Sequence, residues 1–431
     1  MTSILVSPPR LNTPTIKTLP NGLTVVAEQV PVDAVSLNVW MNIGSAVEAD
    51  SINGMAHFLE HMIFKGTPRI ASGEFEQRIE AKGAVTNAAT SQEYTHYYIT
   101  CAPKDFAELA PLQLDVLLNP SIPDDAFERE RHVVLEEIRR SEDNPRRRTY
   151  FRAIETGFEQ LPYRRPVLGP ASVIEGLKPQ QMRDFHGFWY QPHRMTAAVA
   201  GNLESDRLIE LVAEAFEELY QPQALTAEVP TFAALESEDS FDEIVRRDYE
   251  DSSIQQARLV MMWRVPGLKD LEETYALDLL AMILGQGKVS RLYRDLREQR
   301  GLVSQISVSN FTQKHQGIIY ISAKLPAENI PAVEAAILAH IQMIQRESVL
   351  GQEIERVKTQ VANRFIFGNE RPGDRTNLYG YYQSLFGSLE PALNYVDRIH
   401  QITAAEIQAS TIKYLNLGAY AVVAIKPTAE N

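Results

Sequence analysis

The sequence predicts an α+β fold in two homologous domains, each a mainly antiparallel sheet packed with helices, the second a duplicate of the first. Three observations predict it. The chain has 431 residues, more than one ordinary domain holds. Strand-like and helix-like stretches follow in the order β, α, β, α, α, β, α over the first half, which suits a sheet layered with helices. After residue 242 the same segments begin again. The expected division is a first domain at 1–220, a linker at 221–242 and a second domain at 243–431.

The elements follow in order. Residues 16–19 and 23–27 flank Pro20-Asn21-Gly22, and Asn-Gly is the strongest short hairpin signal. Residues 35–41 alternate and are rich in β-formers. A helix is expected over 54–65, and a second from Gly73 to before Gly83. Residues 93–101 carry Tyr and Thr and read as a strand. Helices follow at about 104–118 and from Asp124 to beyond Arg139. A strand at 196–200 ends in Gly201-Asn202, and a helix covers 206–220. Residues 221–242 carry prolines and acids without a period, as a linker does.

The duplication can be laid out residue by residue. Residues 257–263 resemble 35–41, and 276–285 overlie 56–65 with Met282-Ile283-Leu284 on Met62-Ile63-Phe64. Leu277 then stands at His57, Leu280 at Glu60 and Ala281 at His61. Further on, 355–362 overlie 130–137. The same helix built as plain core uses Leu, Leu and Ala, so the fold does not demand the polar residues of the first copy.

Those residues form His57-Phe58-Leu59-Glu60-His61. Histidines four apart project from one helical face, one turn apart, and both can reach one metal ion. Glu60 lies on the same side, within reach of a water at that ion. The flanking Met55, Phe58, Leu59, Met62 and Ile63 are apolar, and a buried helix excludes such polar groups unless something satisfies them. Zinc would do so. A catalytic zinc usually has three protein ligands. Glu130, Glu136 and Glu137 on the helix from Asp124 are candidates for the third; Glu130 and Glu137, a heptad apart, share a face.

Composition bounds the rest. Hydrophobic residues make 44% and charged residues 23% of a chain of net charge −14. That is ordinary for a globular protein and argues against nucleic acid and anionic membrane surfaces as partners. A partner chosen by long-range charge should be basic. The single cysteine, Cys101, rules out a disulfide within the chain. No apolar run approaches a membrane span, and the first residues do not form a secretory signal. A soluble, cytoplasmic protein is expected.

With its His-x-x-Glu-His order and duplicated layout, the whole chain resembles the M16, or pitrilysin, zinc peptidases, the inverzincins. It is most similar to the half-length type, which includes bacterial peptidases and the mitochondrial processing peptidase β subunit. The resemblance implies one Zn²⁺ per chain held by His57, His61 and Glu137, with Glu60 as general base and Glu130 orienting the site. It implies that Asn87, Ala88, Ala89 and Thr90 form an edge strand to which an extended peptide substrate adds. Family sites are completed by an Arg and a Tyr, seven residues apart, from a homologous second half. Here Leu296-Arg297-Glu298-Gln299-Arg300-Gly301-Leu302-Val303-Ser304 keeps Arg297 but has Ser304 where the Tyr belongs. The departure implies a homologous partner subunit that supplies Arg and Tyr, or else a homodimer that offers Arg297 alone.

Overall fold

The Asn21-Gly22 turn, with Gly22 at φ +90°, folds β1 (Thr15–Thr18) back on β2 (Thr24–Gln29). The computed structural model describes residues 11–222, 225–232 and 237–428. The first half continues with β3 (Val35–Met41), α1 (Met55–Ile63), α2 (Glu74–Ala81), β4 (Val85–Thr90) and β5 (Thr95–Cys101). Then come α3 (Phe106–Leu118), α4 (Asp124–Asp143), α5 (Pro145–Gly157), α6 (Ala171–Gly176), α7 (Pro179–Trp189), β6 (Met195–Gly201) and α8 (Ser205–Leu219). The second half holds β7 (Ile244–Glu250), β8 (Ala257–Pro266), α9 (Leu271–Gly285), β9 (Gln305–Phe311) and β10 (Gln316–Leu325). It ends with α10 (Ile330–Arg346), α11 (Gly351–Phe367), α12 (Pro372–Leu385), α13 (Glu390–Gln401), α14 (Ala404–Tyr414) and β11 (Tyr420–Lys426).

Two sheets result, in the orders β1-β2-β6-β3-β5-β4 and β7-β11-β8-β10-β9. Without β1 the two orders superpose strand for strand. Each contains one parallel pair, β2 with β6 and β7 with β11, and is otherwise antiparallel. The duplication legible in sequence is therefore a duplication of topology. α9 follows β8 as α1 follows β3, and α11 packs on α9 as α4 packs on α1. Leu277, Leu280 and Ala281 are buried.

Every residue of β3 and β6 is buried, because both faces of the first sheet are covered. One face carries α1, α3 and α8 over a core of Leu37, Val39, Phe58, Leu114, Val199 and Phe216. The other is covered by α12, a helix of the second half. The reverse also holds: α5 of the first half covers β8 and β11. Each half thus completes the other's sheet. The α12 contact depends on a glycine, since a Cβ on Gly380 would lie 2.1 Å from Trp40 Nε1. It is tied by Glu28, which accepts from Arg375 Nη1 at 3.0 Å and from the Tyr379 hydroxyl at 2.7 Å.

The described part of 221–242 is pinned to both halves. Thr226 donates its amide to Asp184 at 2.8 Å, and Phe232 donates its amide to the Val47 carbonyl at 2.9 Å. The Glu238 carboxylate accepts the amides of Glu159, Gln160 and Leu161 and pairs with Arg264 at 2.7 Å. Among the described residues no helix is long and apolar enough to cross a membrane.

Candidate metal centre

α1 starts abruptly at Gly54, whose φ of +99° suits glycine. A Cβ there would also meet the Leu168 carbonyl oxygen at 2.5 Å. The helix has no side-chain cap of its own. Glu48, fully buried, takes that role from outside: its carboxylate accepts the amides of Gly54 at 2.8 Å and Ala56 at 2.7 Å, and Asn53 Nδ2 at 2.9 Å. An anion at a helix N-terminus is favoured by the free N–H groups and the dipole. Arg165 braces the same loop through the carbonyls of Ser45 and Glu48.

α1 lies against α4, with Phe58 stacked on Phe127 at 4.5 Å between centroids. This contact turns His57 and His61 toward one carboxylate. His57 Nε2 is 3.5 Å and His61 Nε2 3.6 Å from Glu137 Oε2. Ligand atoms of His57, His61 and Glu137 all lie within 4.8 Å of one another. Glu136 points away, pairing with Arg139 at 3.6 Å and Arg140 at 3.3 Å. Glu130 stands behind His61: its Oε1 is 3.0 Å from His61 Nδ1, and its Oε2 pairs with Lys65 Nζ at 2.7 Å. A proton on Nδ1 facing Glu130 would leave Nε2 available to a metal ion. His57 Nδ1 is buried without a partner among the described residues. Glu60 accepts a hydrogen bond from the Thr90 hydroxyl.

Burial drives His57 down to about 4, helped by the charge of neighbouring His61. Burial also depresses His61, but hydrogen bonds to Glu130 and Glu137 outweigh it and hold the ring at about 9. The hydrogen bond to His61 holds Glu137 below the usual carboxylate range. Burial raises Glu60, against the pull of Thr90.

This donor set fits zinc. Two imidazoles and a carboxylate are a common catalytic triad of ligands, and bonds of about 2.0–2.1 Å in a tetrahedron separate ligand atoms by about 3.3–3.4 Å, close to the 3.5 and 3.6 Å seen here. The other residues singled out in sequence fall as follows. Asn87, Ala88, Ala89 and Thr90 lie in β4, which pairs with β5 on one side and ends the sheet on the other. Arg297 and Ser304 are not drawn to this group. Arg297, on a π-helical segment at Tyr293–Gln299, donates to the Tyr293 hydroxyl. The Ser304 hydroxyl shares its one proton between Gln256 Oε1 at 2.8 Å and the Lys324 carbonyl at 3.1 Å. Sequence reasoning missed Glu48 and Lys65, and no local spacing marks either as part of the site.

Two family models match the chain: "Insulinase (Peptidase family M16)" over residues 24–171 and "Peptidase M16 inactive domain" over 176–361. An uncharacterized zinc protease of Mycobacterium tuberculosis is 30% identical over 394 residues, 91% of this chain and 88% of its own. The chain belongs to peptidase family M16. Another relative, zinc protease PqqE of Helicobacter pylori, is 27% identical over 85% of this chain and 82% of its own. The crystal structure of a protease from Helicobacter pylori superposes with a TM-score of 0.88 at 25% identity, covering 96% of this chain and 99% of that one. The first M16 match contains the His57–Glu60–His61 helix and Glu137, and the second spans the copy with Leu277, Leu280 and Ala281.

Proposed function

We propose that this chain is a zinc-dependent endopeptidase acting on peptides or unfolded polypeptide segments. One observation carries the reading: two imidazoles and Glu137 converge while Glu60 stands beside them with no metal-ligating duty of its own. His57, His61 and Glu137 would hold the ion, and Glu130 would orient His61. Zinc, when bound, acts as a Lewis acid that acidifies a water and polarises the scissile carbonyl. Glu60 removes the water's proton at its carboxylate and delivers it to the leaving amine. Burial favours the proton-holding form of Glu60 and so suits it to both transfers. The free edge of β4, at Asn87, Ala88, Ala89 and Thr90, receives an extended substrate by backbone pairing. In this reading residues 1–220 form the catalytic domain, 221–242 join it to the next, and 243–431 form a domain without metal ligands.

The active form is a heterodimer with a homologous subunit that supplies Arg and Tyr. Arg297 could serve in a homodimer, but Ser304 lacks the phenol, and losing one oxyanion donor costs about 10²–10³ in kcat. A second reading, a scaffold or peptide-binding subunit, draws on the inactive-domain match over 176–361. The complete set of His57, Glu60, His61 and Glu137 favours the enzyme. Peptide hydrolysis by the pure chain, with and without a chelator and with zinc restored, tests it. Cleavage that stops with chelation and returns with zinc supports the peptidase. Peptide binding without cleavage, alone and with a partner, supports the scaffold.

A further inference from the structure

The half without metal ligands meets the metal site at one turn. Thr90, whose hydroxyl donates to Glu60, ends β4, and residues 91–94 turn the chain into β5. The turn closes on itself through the Ser91 amide and the Tyr94 carbonyl at 2.8 Å. The first half seats one side of it. Ala46 donates its amide to the Gln92 carbonyl at 2.7 Å, and a Cβ on Gly44 would stand 2.2 Å from the Ser91 carbonyl oxygen. The second half seats the other side. Glu93 Oε1 accepts the Lys314 amide at 2.8 Å and the Tyr163 hydroxyl, and the Tyr163 oxygen accepts the His315 amide at 3.1 Å. Residues 314 and 315 lie between β9 and β10. Tyr94 packs edge-on against Tyr381 of α12, 5.9 Å between centroids.

Glu93 makes no ion pair within 4.0 Å among the described residues. Burial pushes its carboxyl up against the pull of Tyr163, the Lys314 amide and the Lys314 charge. Holding a carboxylate there, with the Lys314 charge near but not in direct contact, costs free energy that an apolar contact would not. Its return is geometric, since two donors from separate segments fix one oxygen, and with it the turn.

We infer that Glu93 is a positioning residue: it ties the 91–94 turn to the 314–315 segment of the second half and so holds Thr90 against Glu60. The inference rests on the reading of Glu60 as general base and gives the second half a part in that site. Thr90 is three residues from Glu93 across a closed turn, so slack at Glu93 reaches the Thr90 hydroxyl. A shift of about 1 Å at a reacting group can cost about 10² in rate.

The test compares Glu93→Ala, Glu93→Gln and Tyr163→Phe with the wild type. Zinc content, KM, kcat per bound zinc and amide hydrogen exchange over residues 88–95 are measured. In Glu93→Ala, kcat per zinc should fall about ten- to a hundredfold, with zinc content and KM held and exchange accelerated. Glu93→Gln keeps an acceptor oxygen and should recover most of kcat. Tyr163→Phe removes one hydroxyl without emptying the site, and should show a smaller loss of the same kind even if Glu93→Ala does not fold. A purely structural role predicts a lower melting temperature with unchanged kcat per zinc, and that result overturns the inference. Glu93→Gln as impaired as Glu93→Ala overturns it too. Absence of hydrolysis by the wild type would count against the peptidase reading instead. Exchange rates then decide alone, and unchanged rates in Glu93→Ala reject the tie.

Discussion

In the proposed zinc site, replacing Glu130 by Gln separates a residue that would hold the metal from one that would orient a ligand. Glu130 Oε1 faces His61 Nδ1 at 3.0 Å and Oε2 faces Lys65 Nζ at 2.7 Å. Its side chain is only 13% exposed, so solvent does little to screen these contacts. Gln keeps an oxygen for Nδ1–H but removes the charge. Hydrogen bonds to charged groups contribute about 1.5–3 kcal/mol against about 0.5–1.5 for neutral ones, so the exchange costs about 1–2 kcal/mol of His61 positioning and basicity. At 1.4 kcal/mol per tenfold, zinc should bind about 5–30-fold more weakly, which overlaps the lower part of the range of about 10–100-fold usual for a partner of a ligating imidazole. Zinc dissociation constants from competition with a chromophoric chelator measure this. Glu136→Gln is the control, because Glu136 faces Arg139 and Arg140. The expected order of weakening is Glu137→Gln, then Glu130→Gln, with Glu136→Gln near wild type. Equal affinities for Glu130→Gln and wild type would refute the orienting role, and Glu136→Gln as weak as Glu137→Gln would refute the ligand assignment.

Three further outcomes are expected. Gly380→Ala should destabilise by about 1–3 kcal/mol, because the added Cβ collides with Trp40; helix propensity alone would stabilise by about 1 kcal/mol, so the sign of the melting-temperature change decides. Burial pushes Asp251 up, but Ser253 and Arg148 outweigh it and bring it to about 2. A depressed carboxyl pKa stabilises the fold above the unfolded value of about 3.9 and ceases to do so as pH falls through about 2; the melting-temperature gap between wild type and Arg148→Ala should therefore narrow from pH 5 to pH 3, and a constant gap would reject the pair's role. The isolated chain should hydrolyse peptide weakly, and Ser304→Tyr or a homologous partner should raise the rate; full activity that neither changes would reject the heterodimer.

Much of this molecule is legible in its sequence, for identifiable reasons. The strand at 35–41 stands out by its alternating Val35, Leu37, Val39 and Met41, and the 55–63 helix by an apolar ring around two His and a Glu. The duplication is legible because Met62-Ile63-Phe64 and Met282-Ile283-Leu284 keep register while the positions of His57, Glu60 and His61 turn apolar. Helical phase left Glu130, Glu136 and Glu137 open, and it is the packing of Phe58 on Phe127 that turns Glu137 inward and Glu136 out. Glu48 is invisible because its targets, Gly54 and Ala56, are six and eight residues away, beyond any capping motif. The exchange of α5 and α12 between the sheets is equally hidden, since an apolar helix face does not say which sheet it covers. The contacts that Thr226 and Glu238 make from within 221–242 are hidden in sequence because their partners Asp184, Glu159 and Arg264 lie distant along the chain.

The most direct test is Glu60→Gln, prepared beside the wild type in the presence of whatever partner gives activity. Zinc content and peptide hydrolysis are measured on the same samples. Zinc close to one per chain in both, with hydrolysis lost by several orders of magnitude in the variant, is the predicted result. Turnover by Glu60→Gln near that of the wild type, or a wild type that holds no zinc after zinc-replete preparation, would contradict the account.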